Sequence, residues 1–380
     1  MKINSINIYN ISLPFIGEFA HSLRKRSSVK NVLVEVVAND EALKGYGEGA
    51  PRIYVTGESQ KSAVAGIKTV IEKQNFPWEL NDVSELWNFI DSLPVTKKNN
   101  AGICALETAV LDAFGKEQNK SILDLFSFKS RKSCLFYGGA IMLASKKRMI
   151  EVCSFFKKLK IRKLKLKMGK DFEQNQNVFK AVKQVFGADC DLKVDVNMAW
   201  DLALAMDNLP LLREHNVRVV EQPMMPDNPD INEFARILEA NDILLMADES
   251  ACCIKDIREL ISDGYYQMVN VRLSKCGGFR RSLEIVNYLR DNGISFQIAA
   301  HLGESGFLSA AGRALSFLCE DSIYYDGSYD EYLLKENLTK ENVTFGLYGK
   351  AGPLAGFGLG VDLNNGSLQN LGELALSIKR

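Results

Sequence analysis

The 380-residue chain has no surplus of either charge, since Lys+Arg and Asp+Glu both number 47 and the formal net charge is zero. Without a basic face to offer a polyanion, the sequence argues against nucleic acid as the main partner. It also lacks any window apolar enough to cross a bilayer, and its start, Met1-Lys2-Ile3-Asn4-Ser5, carries no long apolar run. A soluble, cytoplasmic protein without a membrane partner is expected. Eight cysteines are present, at 104, 134, 153, 190, 252, 253, 276 and 319, but no Cys-x-x-Cys pair. That spacing speaks against zinc ligands and redox motifs and leaves small core residues of a reducing compartment. No Gly-x-Gly-x-x-Gly follows the first strand and no Walker motif occurs, which weakens the nucleotide-binding alternatives.

What the sequence does contain is core material, with 46% hydrophobic and 9% aromatic residues. A chain of this length exceeds one ordinary core, so a large barrel with a smaller companion is expected. Residues 2–13 and 31–38 alternate as strands do, separated by the cation-rich loop Phe19-Ala20-His21-Ser22-Leu23-Arg24-Lys25-Arg26. Gly45, Gly47 and Gly49 suggest tight turns, and helices are predicted over about 59–73 and 101–117.

From about residue 133 the pattern changes to short apolar runs alternating with amphipathic helices. The runs lie near 134–142, 162–168, 191–197, 217–221, 243–248, 267–273, 295–301 and 321–326. Strands alternating with helices at this spacing predict an α/β fold, a (β/α)7-8 TIM-type barrel with an N-terminal α+β capping domain. The expected division is residues 1–125 for the cap, 126–342 for the barrel and 343–380 for a C-terminal segment, its tail read as loop and a short final helix.

The most informative stretch is Lys163-Leu164-Lys165-Leu166-Lys167-Met168-Gly169. Alternation puts Leu164 and Leu166 on one face and Lys163, Lys165 and Lys167 on the other. An edge strand with its lysines in water would alternate the same way. The next three strands, however, each end in a carboxylate, namely Asp195, Glu221 and Asp248. In barrels, catalytic groups sit at the C-terminal strand ends. Three hard oxygen donors without His or Cys suit Mg²⁺. A carboxylate substrate chelated there could lose its neighbouring proton, because the cation holds the resulting enolate. Lys167 is the expected base, its pKa depressed by Lys165 and the metal.

With these motifs assembled, the chain resembles the enolase superfamily, specifically its muconate-lactonizing group, along essentially its whole length. The carriers are Lys-x-Lys at 165 and 167, Asp-x-Asn at 195, Glu-Gln-Pro at 221 and Asp-Glu-Ser at 248. A Lys or His base with Mg²⁺ is the pattern that this resemblance implies. The resemblance implies one Mg²⁺ per subunit, a tail that returns to the cap, and assembly into homo-oligomers. Within the group the likeness is to dipeptide epimerases of the L-Ala-D/L-Glu kind, enzymes acting on a small dipeptide, with a role in cell-wall peptide metabolism.

By that likeness Phe19 and Arg24 correspond to a loop Phe and to an Arg that receives the substrate's acidic side chain. Asp326 matches the second acid of an Asp-x-Asp motif that holds the dipeptide ammonium, while Tyr324 replaces the first. Arg272 stands where the group has its second catalytic lysine, and arginine stays protonated at any working pH. His301 ends the seventh strand, where mandelate-racemase relatives place a catalytic His, and is one expected catalytic group beside Lys167, Lys165 and Arg272; contact with a loop or the substrate is its other reading. The function expected is epimerisation by proton abstraction alpha to the C-terminal carboxylate. The alternatives are one-base chemistry, as in o-succinylbenzoate synthase or muconate cycloisomerase, and a carboxylate binder without turnover.

Overall fold

The computed structural model describes residues 1–21 and 24–380, with the side chains of 18–26 outside the description. The chain opens with β1 (Ile3–His21), β2 (Arg24–Ala38) and β3 (Leu43–Gly49), followed by α1 (Gln60–Lys73), α2 (Val83–Ser92), α3 (Asn100–Glu117) and α4 (Ile122–Leu125). The two first strands run well past the expected 2–13 and 31–38, because antiparallel pairing resumes after an irregularity between Pro14 and Phe19.

Gly45, Gly47 and Gly49 do not mark turns. They share one face of β3, and a Cβ at any of them would run into the backbone of α3. Alternate glycines thus let a helix lie directly on the strand, which a turn reading misses because both uses exploit the missing side chain.

A two-residue strand, β4 (Leu135–Phe136), leads into the barrel. Its strands are β5 (Gly139–Ile141), β6 (Lys163–Lys167), β7 (Asp191–Asp195), β8 (Val217–Glu221), β9 (Leu244–Ala247), β10 (Met268–Arg272), β11 (Ser295–Ala299) and β12 (Tyr324–Tyr325). They form one parallel eight-stranded sheet in chain order. The interleaved helices are α5 (Lys146–Lys158), α6 (Phe172–Phe186), α7 (Leu202–Glu214), α8 (Ile231–Glu239), α9 (Ile254–Asp263), the single turn α10 (Leu273–Cys276), α11 (Phe279–Asp291) and α12 (Gly306–Leu318). The sheet curls until its edges meet, where the Gly138 N–H donates to the Tyr325 carbonyl at 2.9 Å. No helix among the described residues is long and apolar enough to cross a membrane.

After the short helix α13 (Asp330–Leu333), β13 (Lys350–Ala351) pairs with β4. The helix α14 (Asn365–Leu371) then leads into β14 (Gly372–Lys379), which lies antiparallel against β1. The tail therefore holds the expected short last helix but ends in a strand. Leu374, Leu376 and Ile378 alternate with the small or polar residues Ala375, Ser377 and Lys379, the period-2 signal of that strand.

Two buried carboxylates lock the cap over the mouth of the barrel. Glu48 on β3 accepts the N–H groups of Ser305 and Leu308 at 3.1 Å, satisfying the start of α12. Glu107 on α3 accepts from Phe279 at 2.5 Å and Arg280 at 2.9 Å at the start of α11. Unpaired N–H groups and the dipole at a helix start favour an acidic partner, here supplied by the neighbouring layer.

Candidate active site

The barrel interior is charged where most barrels are apolar, and the strand ends explain how. On β6, Leu164 and Leu166 pack outward into the core while Lys165 and Lys167 point inward. Lys163, expected on the same inner face, lies at the opposite mouth, exposed, with its ammonium over the Tyr324 ring. Lys167 Nζ donates to Asp195 Oδ2 at 2.5 Å and to Asn197 Oδ1 at 2.7 Å. Lys165 Nζ sits among three acids, 2.9 Å from Asp326, 3.3 Å from Glu221 and 3.7 Å from Asp195. Burial pulls its pKa down, but Asp326, Glu221 and Asp195 together hold the amine well above its ordinary range.

Arg272, at the end of β10, reaches across to β8 and β9. Its Nη2 lies 3.4 Å from Glu221 Oε1 and bonds directly to Asp248 Oδ2. Burial disfavours the charge, yet Asp248 and then Glu221 raise its pKa further, so this side chain is a fixed cation. His301, two residues beyond β11, is buried with both ring nitrogens unpartnered. Its Nδ1 is 3.7 Å from Glu304, and burial followed by Arg272 and Arg52 holds it well below the usual imidazole range. The ring is therefore neutral.

Asp326 follows β12, where its Oδ2 takes both Lys165 and Lys193 at 2.9 Å. Tyr324, expected among the substrate contacts, donates its hydroxyl to Asp191, the first residue of β7, at 3.0 Å. Alternation shows that such a side chain faces inward but not which mouth it reaches. Phe19 and Arg24 lie outside the described side chains.

Four further residues complete the cluster. Lys193, between Leu192 and Val194, shares the parity of Asp195, which is the signal that places it inside; its amine also meets Gln297 at 2.5 Å. Lys275 comes from α10, reaching back to Asp248 Oδ1 at 3.0 Å and to the Asn270 carbonyl at 2.6 Å. Asn270 holds Glu221 Oε1 at 2.6 Å. Glu249, beside Asp248, takes Asn197 at 3.0 Å on one oxygen while the other is buried without a partner, and burial and then Asp248 and Asp195 push it up to about 8.

Among the described residues no three acidic, imidazole or thiol groups stand ready as a cation cage. The reason is visible oxygen by oxygen: Asp195 takes the Asn197 N–H and Lys167, Glu221 takes Asn270 and Lys165, and Asp248 takes Lys275 and Arg272. The donor chemistry nonetheless fits a hard divalent cation, with three buried carboxylates on adjacent strands and, beside them, Glu249 with one oxygen free of any hydrogen bond. Burial and repulsion from Asp195 and Asp248 keep Glu221 above its ordinary pKa, a strain that a dication would relieve.

The chain has known relatives. A family model described as "Enolase C-terminal domain-like" matches residues 149–367. The chain is 28% identical over 323 residues to the N-succinyl-L-Arg/Lys racemase of Bacillus cereus, covering 83% of this chain and 84% of that protein. It is 25% identical over 382 residues to the hydrophobic dipeptide epimerase of Enterococcus faecalis, covering 99% and 98%. The dipeptide epimerase of Cytophaga hutchinsonii, solved with Mg and the dipeptide D-Ala-L-Val, has a TM-score of 0.86 at 21% identity, covering 100% of this chain and 99% of that one. Racemases and epimerases are isomerases, and this chain is an enzyme of that class. A family match over more than half of the chain, on a fold shared along its whole length, makes the protein a member of the enolase superfamily.

Proposed function

We propose that the protein epimerises an amino-acid derivative by removing the proton alpha to its carboxylate, with Lys167 as the base on one face. The observation that carries this reading is the position of Lys167 at the end of β6, its partly exposed amine held by Asp195 and Asn197 beside the buried charged groups of the barrel interior. Asp195, Glu221 and Asp248 would hold one Mg²⁺, which supplies charge stabilisation for the carboxylate as its alpha carbon becomes an enolate. Lys165, paired with three acids and firmly protonated, adds fixed positive charge beside the same carboxylate. Asn197 orients the Lys167 amine.

The second face belongs to Arg272 and His301. Arginine donates hydrogen bonds but keeps its proton, so the exchangeable proton on that face is assigned to His301: its neutral ring, without a hydrogen bond, takes the alpha proton of one epimer, and only the protonated ring returns one to the enolate of the other. The substrate proposed is a dipeptide of the L-Ala-L/D-Glu kind or another N-acylated amino acid, in keeping with what the relatives' names describe. One-base chemistry, as in o-succinylbenzoate synthase or muconate cycloisomerase, is the second reading, and the observation favouring it is Arg272 as a fixed cation on the far face.

Incubating the protein with Mg²⁺ and L-Ala-L-Glu, and separately with N-succinyl amino acids, in D₂O tests both. Deuterium entry with inversion supports epimerisation. Exchange with retention supports the one-base reading, and no exchange with any of these substrates removes both.

A further inference from the structure

The side chain that replaces the group's second lysine does something a lysine would do less well. Arg272 lies in the space between Glu221 and Asp248, with its Nη2 bonded to Asp248 and 3.4 Å from Glu221. Those are two of the three acids a cation would need. Lys167, which occupies the third, can release Asp195 and still keep Asn197 at 2.7 Å. Arg272 has no such second home: among the described residues no acceptor apart from Glu221 and Asp248 holds it, and its Nε is buried without a partner. A buried guanidinium leaves a carboxylate only when another anion is offered, and a carboxylate bound bidentately is the natural replacement.

From these contacts we infer that Arg272 is a built-in competitor for the metal position, drawn off Asp248 by the substrate's carboxylate, so that metal and substrate bind cooperatively. The inference rests on the reading of Asp195, Glu221 and Asp248 as metal ligands. Its consequence is reciprocal, because whatever factor the carboxylate adds to metal affinity, the metal adds to carboxylate affinity. Arg272 is in this respect a positioning residue, acting on the site through Asp248 and Glu221.

Mn²⁺ binding, followed by electron paramagnetic resonance on the full chain, reads this without turnover. The carboxylate probes are N-succinyl-2-aminoisobutyrate and alanyl-2-aminoisobutyrate, which carry no alpha proton to lose. In the unaltered protein a saturating probe is expected to tighten Mn²⁺ binding about tenfold, within the usual range of such couplings. In Arg272→Met the metal is expected to bind about tenfold more tightly without probe, and the response to probe to shrink to what direct contact between carboxylate and metal supplies. Unchanged Mn²⁺ affinity with and without either probe in the unaltered protein overturns the inference, whether or not Arg272→Met folds. Equal or weaker binding in a folded Arg272→Met overturns it as well. Absence of Mn²⁺ binding in every form, probe present or not, overturns the metal assignment itself and the inference with it.

Discussion

Lys193 and Asp326 meet across the barrel, Nζ to Oδ2 at 2.9 Å, although they come from the third strand and from just past the last strand of the sheet. In a flat sheet, β7 and β12 would stand about 24 Å apart at the usual strand spacing. The pair is therefore both a proof of closure and a statement about the site. Asp326, the acid matched to ammonium binding, already shares one oxygen with Lys193 and Lys165 and is held well below the usual carboxylate range, burial notwithstanding. Replacing Lys193 by Met leaves a buried acid with one partner fewer. Urea unfolding is expected to show a loss of about 3–5 kcal/mol. Lys193→Met with Asp326→Asn should recover part of that loss, and two additive single losses would mean that the pair does not interact.

Lys167 is expected to be indispensable for exchange yet dispensable for folding, since its side chain is partly exposed while Lys165 and Lys193 are enclosed. Lys167→Ala should slow alpha-proton exchange in D₂O by about 10²–10⁴-fold with little change in thermal unfolding. Lys167→Arg should be equally slow, because the charge returns but the base does not. Exchange at more than a tenth of the original rate in either variant rules out Lys167 as the base.

Much of this was legible in the sequence because two periodicities carry it. The strand Lys163–Lys167 and the three acids are set by alternation and by the rule that barrel chemistry sits at strand ends. Lys193 obeys the same parity and could have been read from its place two residues before Asp195. Lys275 could not, since it enters from a helical turn beyond β10 and its direction depends on tertiary packing. The direction of Tyr324 and the role of the β3 glycines were hidden for the same reason. Parity names a face, but it does not name the neighbour on that face.

Removal of divalent metal is expected to abolish exchange reversibly. Dialysis against EDTA should stop deuterium uptake and Mg²⁺ should restore it. Asp248→Asn should remain inactive at any Mg²⁺ concentration that saturates the original protein, because Asp248 would bring the third carboxylate. Full activity in EDTA would exclude the metal-assisted reading.

The joint between cap and barrel carries its own pH signature at Glu107. Burial is the largest influence on this carboxyl and pushes it up to about 7 from an ordinary value of 4.5, outweighing the two backbone N–H groups of Phe279 and Arg280 that favour the ionised form. An acid whose folded pKa lies above its unfolded value binds more protons in the fold. Its contribution to stability therefore falls as pH rises from about 4.5 to about 7, and is level above that. The full change for a shift of this size is on the order of 3 kcal/mol. Glu107→Gln keeps an acceptor for one N–H but cannot titrate. The difference in unfolding free energy between the two proteins should therefore move toward the glutamine variant as pH rises from 5 to 8. A difference that stays constant over that range would mean that Glu107 is ionised throughout, with the start of α11 stabilising its charge more than burial opposes it.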